Sequence, residues 1–331
     1  MDAPLHYADY LKLDSMLNAQ QLRSDQLNAH AHDEMLFIII HQTYELWFKQ
    51  LLYEVDSVKA ILQKPALNDD SPELQIIVHR LNRSNTILRL LVQQIGVMET
   101  MSPMDFLDFR DMLRPASGFQ SWQFKLLEAR LGLKFEQRHG QAHYTSQLRE
   151  PEVELIKAAE SEKTLLEGLN DWLERMPFLK DNDFWPGYRK LYLESLSEAE
   201  QAHATLFDTV FSEEKADPSR SLSPIACRAG LFIMIYPGYP ILQLPFQLLN
   251  QLLEMDEQLS TWRYRHMHMV HRTIGTRIGT GGSTGRDYLQ GTLEKHFIFR
   301  DIAQLTSFLI ERKKLPKLSR QMERRLGFAS E

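Results

Sequence analysis

The chain has 331 residues, 43% of them hydrophobic, enough apolar mass for one large buried core or two ordinary ones. Its formal net charge of -6 and pI near 6.1 give no general pull toward nucleic acid or anionic lipid, and no apolar run is long enough to span a bilayer. The single cysteine, Cys227, excludes an intrachain disulfide framework, iron–sulfur clusters and multi-thiolate zinc sites.

With that single cysteine a reducing cytoplasm is the expected setting, and the N-terminal MDAPLHYADYLKLD is acidic and polar, unlike the start of a signal peptide. A short helix is expected in LDSMLNAQQLR. From Asp33 to Lys64 there is neither proline nor glycine. The run MLFIII would suit a buried strand alone, but its continuation HQTYELWFKQLLYEVDSVKAILQK repeats apolar positions every three or four residues, which predicts one long helix. Pro65 ends it, and a start signal near Ser71 opens a second long helix through ELQIIVHRLNRSNTILRLLVQQIGVMET. A third, shorter helix begins at Ser102-Pro103, where proline suits the first turn, and continues through MDFLDFRDML. After a break at PASG, helices are expected in FQSWQFKLLEARLG, VELIKAAESEKTLLEGLNDWLERM and RKLYLESLSEAEQAHATLFDTVF. Residues 213–224 read as a surface turn, a long helix is expected from Phe246 to Thr273, and one or two more in GRDYLQGTLEKHFIFRDIAQLTSFLIERKK. Alternating strand patterns are almost absent. The fold class is all-α, a helical bundle forming a single domain over 1–331, with a peripheral helical insertion allowed within 133–190.

The twelve histidines are the richest supply of ligands. In TWRYRHMHMVHR, His266 lies on an apolar stripe running through Leu249, Leu252, Leu253, Leu259, Trp262, Met269 and Thr273. His268 lies roughly 200° around the helix from His266 and His271 roughly 140°, so the three cannot converge on one metal from a straight helix. His266 is either a satisfied core histidine or a ligand, while His268 and His271 are expected to face polar surroundings. His41 follows six apolar residues and shares a helical face with Phe37, four positions earlier. It reads as a core histidine with a partner, a metal or haem ligand, or a group lining a pocket for a flat apolar molecule. Neither HxxxH nor HExxH occurs there, and Glu45 would orient His41 or face water.

Phe106 and Arg110 repeat the same spacing. An arginine beside Phe106, Phe109 and Leu113 needs either an acid such as Asp108 or Asp111, or a ligand carboxylate that its fork can grip. PASGFQS follows, with Ser117 and Gly118 placed to let backbone approach a ligand. GTGGSTGRD lacks the lysine and spacing of a phosphate loop; it reads as a lid offering the Thr280 and Ser283 hydroxyls, or as an ordinary surface loop. The basic run ERKKLPKLSRQMERR reads as solvated surface, and no nucleic-acid or membrane partner is expected.

Six segments in order, YxxYL at Tyr7–Leu11, HDEMLFIIIHQTYELW, DFRDMLRPASGFQS, PFQLL, WRYRH and GTGGSTG, together resemble the tryptophan 2,3-dioxygenase family. The resemblance covers the chain from about Tyr7 to Ser307. It implies an all-helical haem b enzyme, usually a homotetramer, that inserts O2 across the indole C2–C3 bond of L-tryptophan to give N-formyl-L-kynurenine, the first step of tryptophan degradation. It implies that His266 ligates the haem iron, with Trp262, Ser117 and Gly118 near the haem. His41 would be the catalytic distal residue, hydrogen-bonding the indole N–H beside Phe37. Phe106 would line the pocket, Arg110 would grip the substrate carboxylate, and Thr280 would bind the amino-acid end. Ser117 and Gly118 would also approach substrate, and Tyr7, Tyr10 and Leu11 would complete a neighbouring subunit's pocket. One segment departs from the pattern: IYPGYPILQL stands where relatives carry YRDEP, which would reshape a helix entrance or the haem edge. The alternatives are a haem dioxygenase for another indole or substituted tryptophan, and a non-enzymatic haem-binding sensor.

Overall fold

The computed structural model describes residues 4–65, 67, 71–139, 144–176, 184–215, 217–277 and 285–327. Among them the chain forms α-helices and short 3-10 turns, and no strand. Three short helices, α1 (Tyr7–Leu11), α2 (Leu13–Leu17) and α3 (Arg23–Gln26), lead into α4 (Glu34–Leu62) and α5 (Pro72–Met98). Next come α6 (Pro103–Arg110), α7 (Trp122–Leu131), α8 (Glu150–Ser161), α9 (Leu165–Glu174), α10 (Phe184–Ser195), α11 (Ala202–Phe211) and α12 (Pro224–Ile235). The last four are α13 (Pro240–Ile274), α14 (Gly285–Lys295), α15 (Arg300–Leu305) and α16 (Arg320–Leu326).

Helix starts follow the local chemistry. Ser71 accepts from Glu73 N ahead of Pro72, and Ser102 and Asp105 cap α6 reciprocally ahead of Pro103. Thr164 and Glu167 do the same for α9, splitting the expected 153–176 helix into α8 and α9. Gly132, at φ 136°, stops α7 in a conformation that side-chain-bearing residues avoid.

The expected 246–273 helix starts six residues earlier, at Pro240. Pro240 sits in the first turn, where no N–H is needed, and Pro245 lies inside the helix, buried, forgoing one backbone bond without ending it. The segment IYPGYPILQL therefore forms the corner between α12 and α13. Tyr236 Oη donates to Pro316 O and Tyr239 Oη to Glu323. Pro240 lies 26 residues before His266, roughly 39 Å along the helix at 1.5 Å per residue. This segment thus lies at the opposite end of α13 from His266. The C-terminal basic run also differs from the expected solvated surface. Its last part forms α16, which buries Met322 and Leu326.

The three longest helices, α4, α5 and α13, pack together, and α13 lies most extensively on α5. Their main core includes Phe48, Leu51, Val55 and Val58 of α4, Leu74 to Leu91 of α5, and Leu242 to Leu259 of α13. Within the 133–190 segment, α8 packs on α7, and α9 packs on α4 and α12, with Ile156, Leu165, Leu169 and Trp172 joining that core. A second, smaller apolar cluster forms where the long helices run on: Ile40 of α4, Met98 of α5 and Phe109 of α6, with Phe37, Tyr44, Phe106 and Met269 against them. Among the described residues no single helix is long and apolar enough to cross a membrane.

Candidate active site

The second cluster carries the candidate residues. Phe37 and His41 are one turn apart on α4, and their rings lie 4.1 Å apart between centroids. Phe106 stacks on Phe37 at 5.7 Å, and Phe109 meets both edge-on at 5.5 Å. The result is an aromatic wall built from α4 and α6.

His41 Nδ1 lies 2.7 Å from Phe37 O. A carbonyl only accepts, so Nδ1 carries the proton and the neutral ring keeps a lone pair at Nε2. The side chain reaches open space, yet enough protein crowds it to lower its pKa below 6.5; burial outweighs the raising effects of the Phe37 carbonyl and Glu45. A group both crowded and reachable lines a recess. Glu45 does not orient it: the Glu45 carboxylate and carbonyl both accept from Gln123 Nε2, at 2.8 and 2.9 Å.

Across the recess, α13 presents His266. Its ring stacks on Trp262 at 5.2 Å and 14°. Trp262 is packed in turn against Tyr44, Phe48 and Phe124. Tyr44 Oη is held by Leu91 O at 2.9 Å. Burial, then the neighbouring His41, lowers the His266 pKa to about 4, so the ring is neutral. The effect of His41 on His266 puts the two imidazoles within electrostatic reach. His266 Nδ1 is buried with no hydrogen-bond partner, which leaves Nε2 as the nitrogen available to an iron. His268 and His271 are exposed, and His268 rests edge-on against Tyr264 at 4.4 Å. The helical register thus separates one inward histidine from two outward ones.

Arg110 ends α6 behind Phe106 and Phe109 and is only 5% exposed. Of the acids expected to compete for it, Asp108 is exposed and Asp111 pairs with Arg114 at 3.2 Å. Beyond it, Ser117 and Gln120 cap a 3-10 turn reciprocally, with Ser117 Oγ accepting from Phe119 N. A Cβ built on Gly118 would meet nothing within 4 Å, so the turn opens onto free space.

Thr280 lies outside the described residues. Tyr7, Tyr10 and Leu11 are described on α1, which buries none of its residues; the two tyrosines are 69% and 68% exposed. Tyr44, Phe109 and Phe124 were not singled out as site residues from sequence. Tyr44 and Phe109 carried a signal, each standing three positions after a chosen residue, His41 or Phe106, on the same helix. Phe124 reaches Trp262 only through tertiary packing. Among the described residues no three His, Cys, Asp or Glu side chains converge on a common point.

A neutral, inward imidazole backed by a tryptophan, an opposing imidazole with a free lone pair and an aromatic wall define a helical protein suited to holding flat aromatic molecules. The residues present fit a haem, because the neutral, inward His266 would offer a ring nitrogen to iron and the walls are apolar. Comparison with known sequences narrows the class. The family model described as tryptophan 2,3-dioxygenase matches residues 1–216 and 190–309. The chain is 41% identical to the tryptophan 2,3-dioxygenase of Bdellovibrio bacteriovorus and 43% to that of Alteromonas mediterranea, each over 98% of both chains. It is also 41% identical to the Dictyostelium discoideum enzyme, over 98% of this chain and 88% of that one. The chain belongs to the tryptophan 2,3-dioxygenase family and is an enzyme of that family.

Proposed function

We propose that the protein is a haem b-dependent dioxygenase that converts L-tryptophan and O2 to N-formyl-L-kynurenine. The observation that carries this reading is the forced tautomer of His41. With Nδ1–H given to Phe37 O at 2.7 Å, Nε2 offers an acceptor to an indole N–H in an otherwise apolar recess.

His266 would hold the haem iron, with Trp262 stacked against its ring, and the open Ser117–Gly118 turn would leave room beside the cofactor. When bound, the haem activates O2 for insertion across the indole C2–C3 bond, and both oxygen atoms enter the product, so no reductant is consumed stoichiometrically. The chain does the rest. Phe37, Phe106 and Phe109 exclude water and form a wall for the indole. His41 accepts the indole N–H at Nε2 and sets the ring's rotation. Arg110 grips the substrate carboxylate with its planar fork, so the two ends of the substrate are held by different helices and the reacting carbons have one orientation. Thr280 binds the amino-acid end of the substrate. The assembly is a homotetramer, and the exposed Tyr7, Tyr10 and Leu11 complete a neighbouring pocket.

The IYPGYPILQL segment lies at the opposite end of α13 from His266, which supports L-tryptophan over another indole as substrate. Purified protein is expected to show a Soret band and, under reducing conditions with O2, to form the absorbance of N-formylkynurenine from L-tryptophan. A folded, haem-loaded sample inert toward L-tryptophan would overturn the reading and favour a haem sensor. Faster turnover of another indole would reassign the substrate.

A further inference from the structure

A buried charge cluster lies behind the proximal side of the recess. Glu128 of α7 is 3% exposed and accepts from three groups, one ten residues on and two far away in sequence. Arg138 Nη1 donates at 2.7 Å, Arg263 Nη2 at 2.7 Å and His296 Nδ1 at 3.2 Å. Burial alone would raise its pKa, but the His296 hydrogen bond and the two guanidinium charges hold it well below the usual carboxylate range. A second tier closes the cluster: His296 Nε2 accepts from His139 N at 3.1 Å, and Arg263 Nη1 donates to His296 O at 3.3 Å.

Of these donors, Arg263 alone stands on α13, the helix of His266. It is 2% exposed, follows Trp262 directly, and precedes His266 by three residues, so the two side chains point about 60° apart around one axis. Its guanidinium also lies 5.9 Å from the Phe124 ring, which packs on Trp262 at 4.9 Å. The anchor therefore continues through Phe124 and Trp262 to the His266 ring. The turn after α6 is tied to α7, the helix of Glu128. Lys125, three residues before Glu128 on α7, donates to Phe119 O, inside the turn that carries Ser117 and Gly118.

We infer that Glu128 is a positioning residue for the haem: by fixing Arg263 it sets the rotation of α13 that aims His266 at the iron. The inference rests on the haem reading above. Glu128 touches neither substrate nor cofactor and acts through α13. Breaking one partner of a buried ion pair leaves an uncompensated charge, and Arg263 ties α13 both to Glu128 of α7 and to the His296 carbonyl. Arg138 serves as the internal control, because it holds the same carboxylate, and Lys125 O at 3.2 Å, without any bond to α13.

The test compares Glu128→Gln, Arg263→Lys and Arg138→Lys with wild type in the full-length holoenzyme. The readouts are the ferrous iron–histidine stretching band by resonance Raman, the rate of haem transfer to apomyoglobin, and thermal stability. Glu128→Gln and Arg263→Lys are expected to shift or broaden the band and to speed haem loss about tenfold, the scale seen when groups orienting a metal ligand are removed. Arg138→Lys is expected to lower thermal stability while leaving band and haem loss as in wild type. Should Glu128→Gln fail to fold, the contrast between Arg263→Lys and Arg138→Lys decides. An unchanged band in Arg263→Lys, or an equal shift in Arg138→Lys, overturns the positioning role. A wild-type protein that takes up haem without any iron–histidine band would instead defeat the haem reading, and is told apart by needing no variant.

Discussion

The tautomer of His41 makes a prediction about substrate discrimination. 1-Methyl-L-tryptophan has the same ring, carboxylate and amine as L-tryptophan but no indole N–H. In wild type it leaves the Nε2 lone pair without a donor inside a recess walled by Phe37, Phe106 and Phe109. An unmet acceptor at such a site costs about 1–3 kcal/mol, so kcat/KM for L-tryptophan should exceed that for the methyl analogue by roughly 5- to 150-fold. His41→Ala removes the acceptor and opens space for the methyl group, and the ratio should collapse to about threefold or less, the scale of a methyl group in a forgiving apolar pocket. Initial rates of N-formylkynurenine formation with both substrates on both proteins give the four numbers required. The acid limb follows from the same ring. Because burial lowers the His41 pKa below 6.5, the neutral acceptor persists at pH 6.5, and the ratio should fall only at more acid pH. A ratio that survives His41→Ala would show that a steric clash, and not a hydrogen bond, rejects the analogue.

Other consequences can be checked separately. His266→Ala should lose stable haem ligation, whereas His271→Ala, altering an exposed side chain one turn further on, should keep the wild-type absorption spectrum; the reverse pattern would reassign the ligand. Asp256 accepts from Ile298 N and Phe299 N inside the core, and burial pushes its carboxyl up to about 6. A folded-state pKa above the unfolded value of 3.8 means that its contribution to stability is full below pH 3.8 and is lost as pH rises through 6. Asp256→Asn should therefore gain about 1 kcal/mol on wild type between pH 5 and pH 7.5 in paired thermal melts, and a gap independent of pH would refute this. Burial pushes the Cys227 thiol up to about 11. Native protein should resist a thiol reagent at pH 8 and release one reactive thiol per chain on unfolding; fast labelling of the native state would contradict the packing.

Helical periodicity alone made part of this site legible. It paired Phe37 with His41, and it put His266 inward and His268 and His271 outward, because these relations depend only on 100° per residue along one helix. It could not choose between a core histidine and a functional one, since both occupy the same inward face. The choice came from motif order, and the structure added the atom that matters, the Phe37 carbonyl one turn back. What stayed illegible is tertiary. Glu128, Arg138, Arg263 and His296 are scattered over 168 positions, and no local pattern announces that they meet. The first turns of α13, ahead of the expected 246–273 helix, hold two prolines: Pro240 sits where no donor is needed, and buried Pro245 loses a single backbone bond.

The placement of the site follows from how the long helices divide their length. Each of α4, α5 and α13 seals the main core along most of its run and passes into the second cluster near one end, through Ile40, Met98 and Met269. The stretches that stabilise the fold and those that face the recess are therefore different turns of the same helices. Phe37, Phe106 and Met269 remain only partly buried in the protein alone, and a flat apolar ligand would complete their burial. Ligand binding should then stabilise the recess end preferentially. Saturation at 100 times the dissociation constant adds about 2.7 kcal/mol to the folded state. Hydrogen exchange on haem-free and haem-loaded protein can localise that gain. Residues 36–41 and 103–113 should exchange faster without haem and slow on loading, whereas 74–91, inside the main core, should exchange alike in both forms. Equal protection of both regions, or protection confined to 74–91, would mean that the ligand sits elsewhere and that the partly buried rings serve another contact.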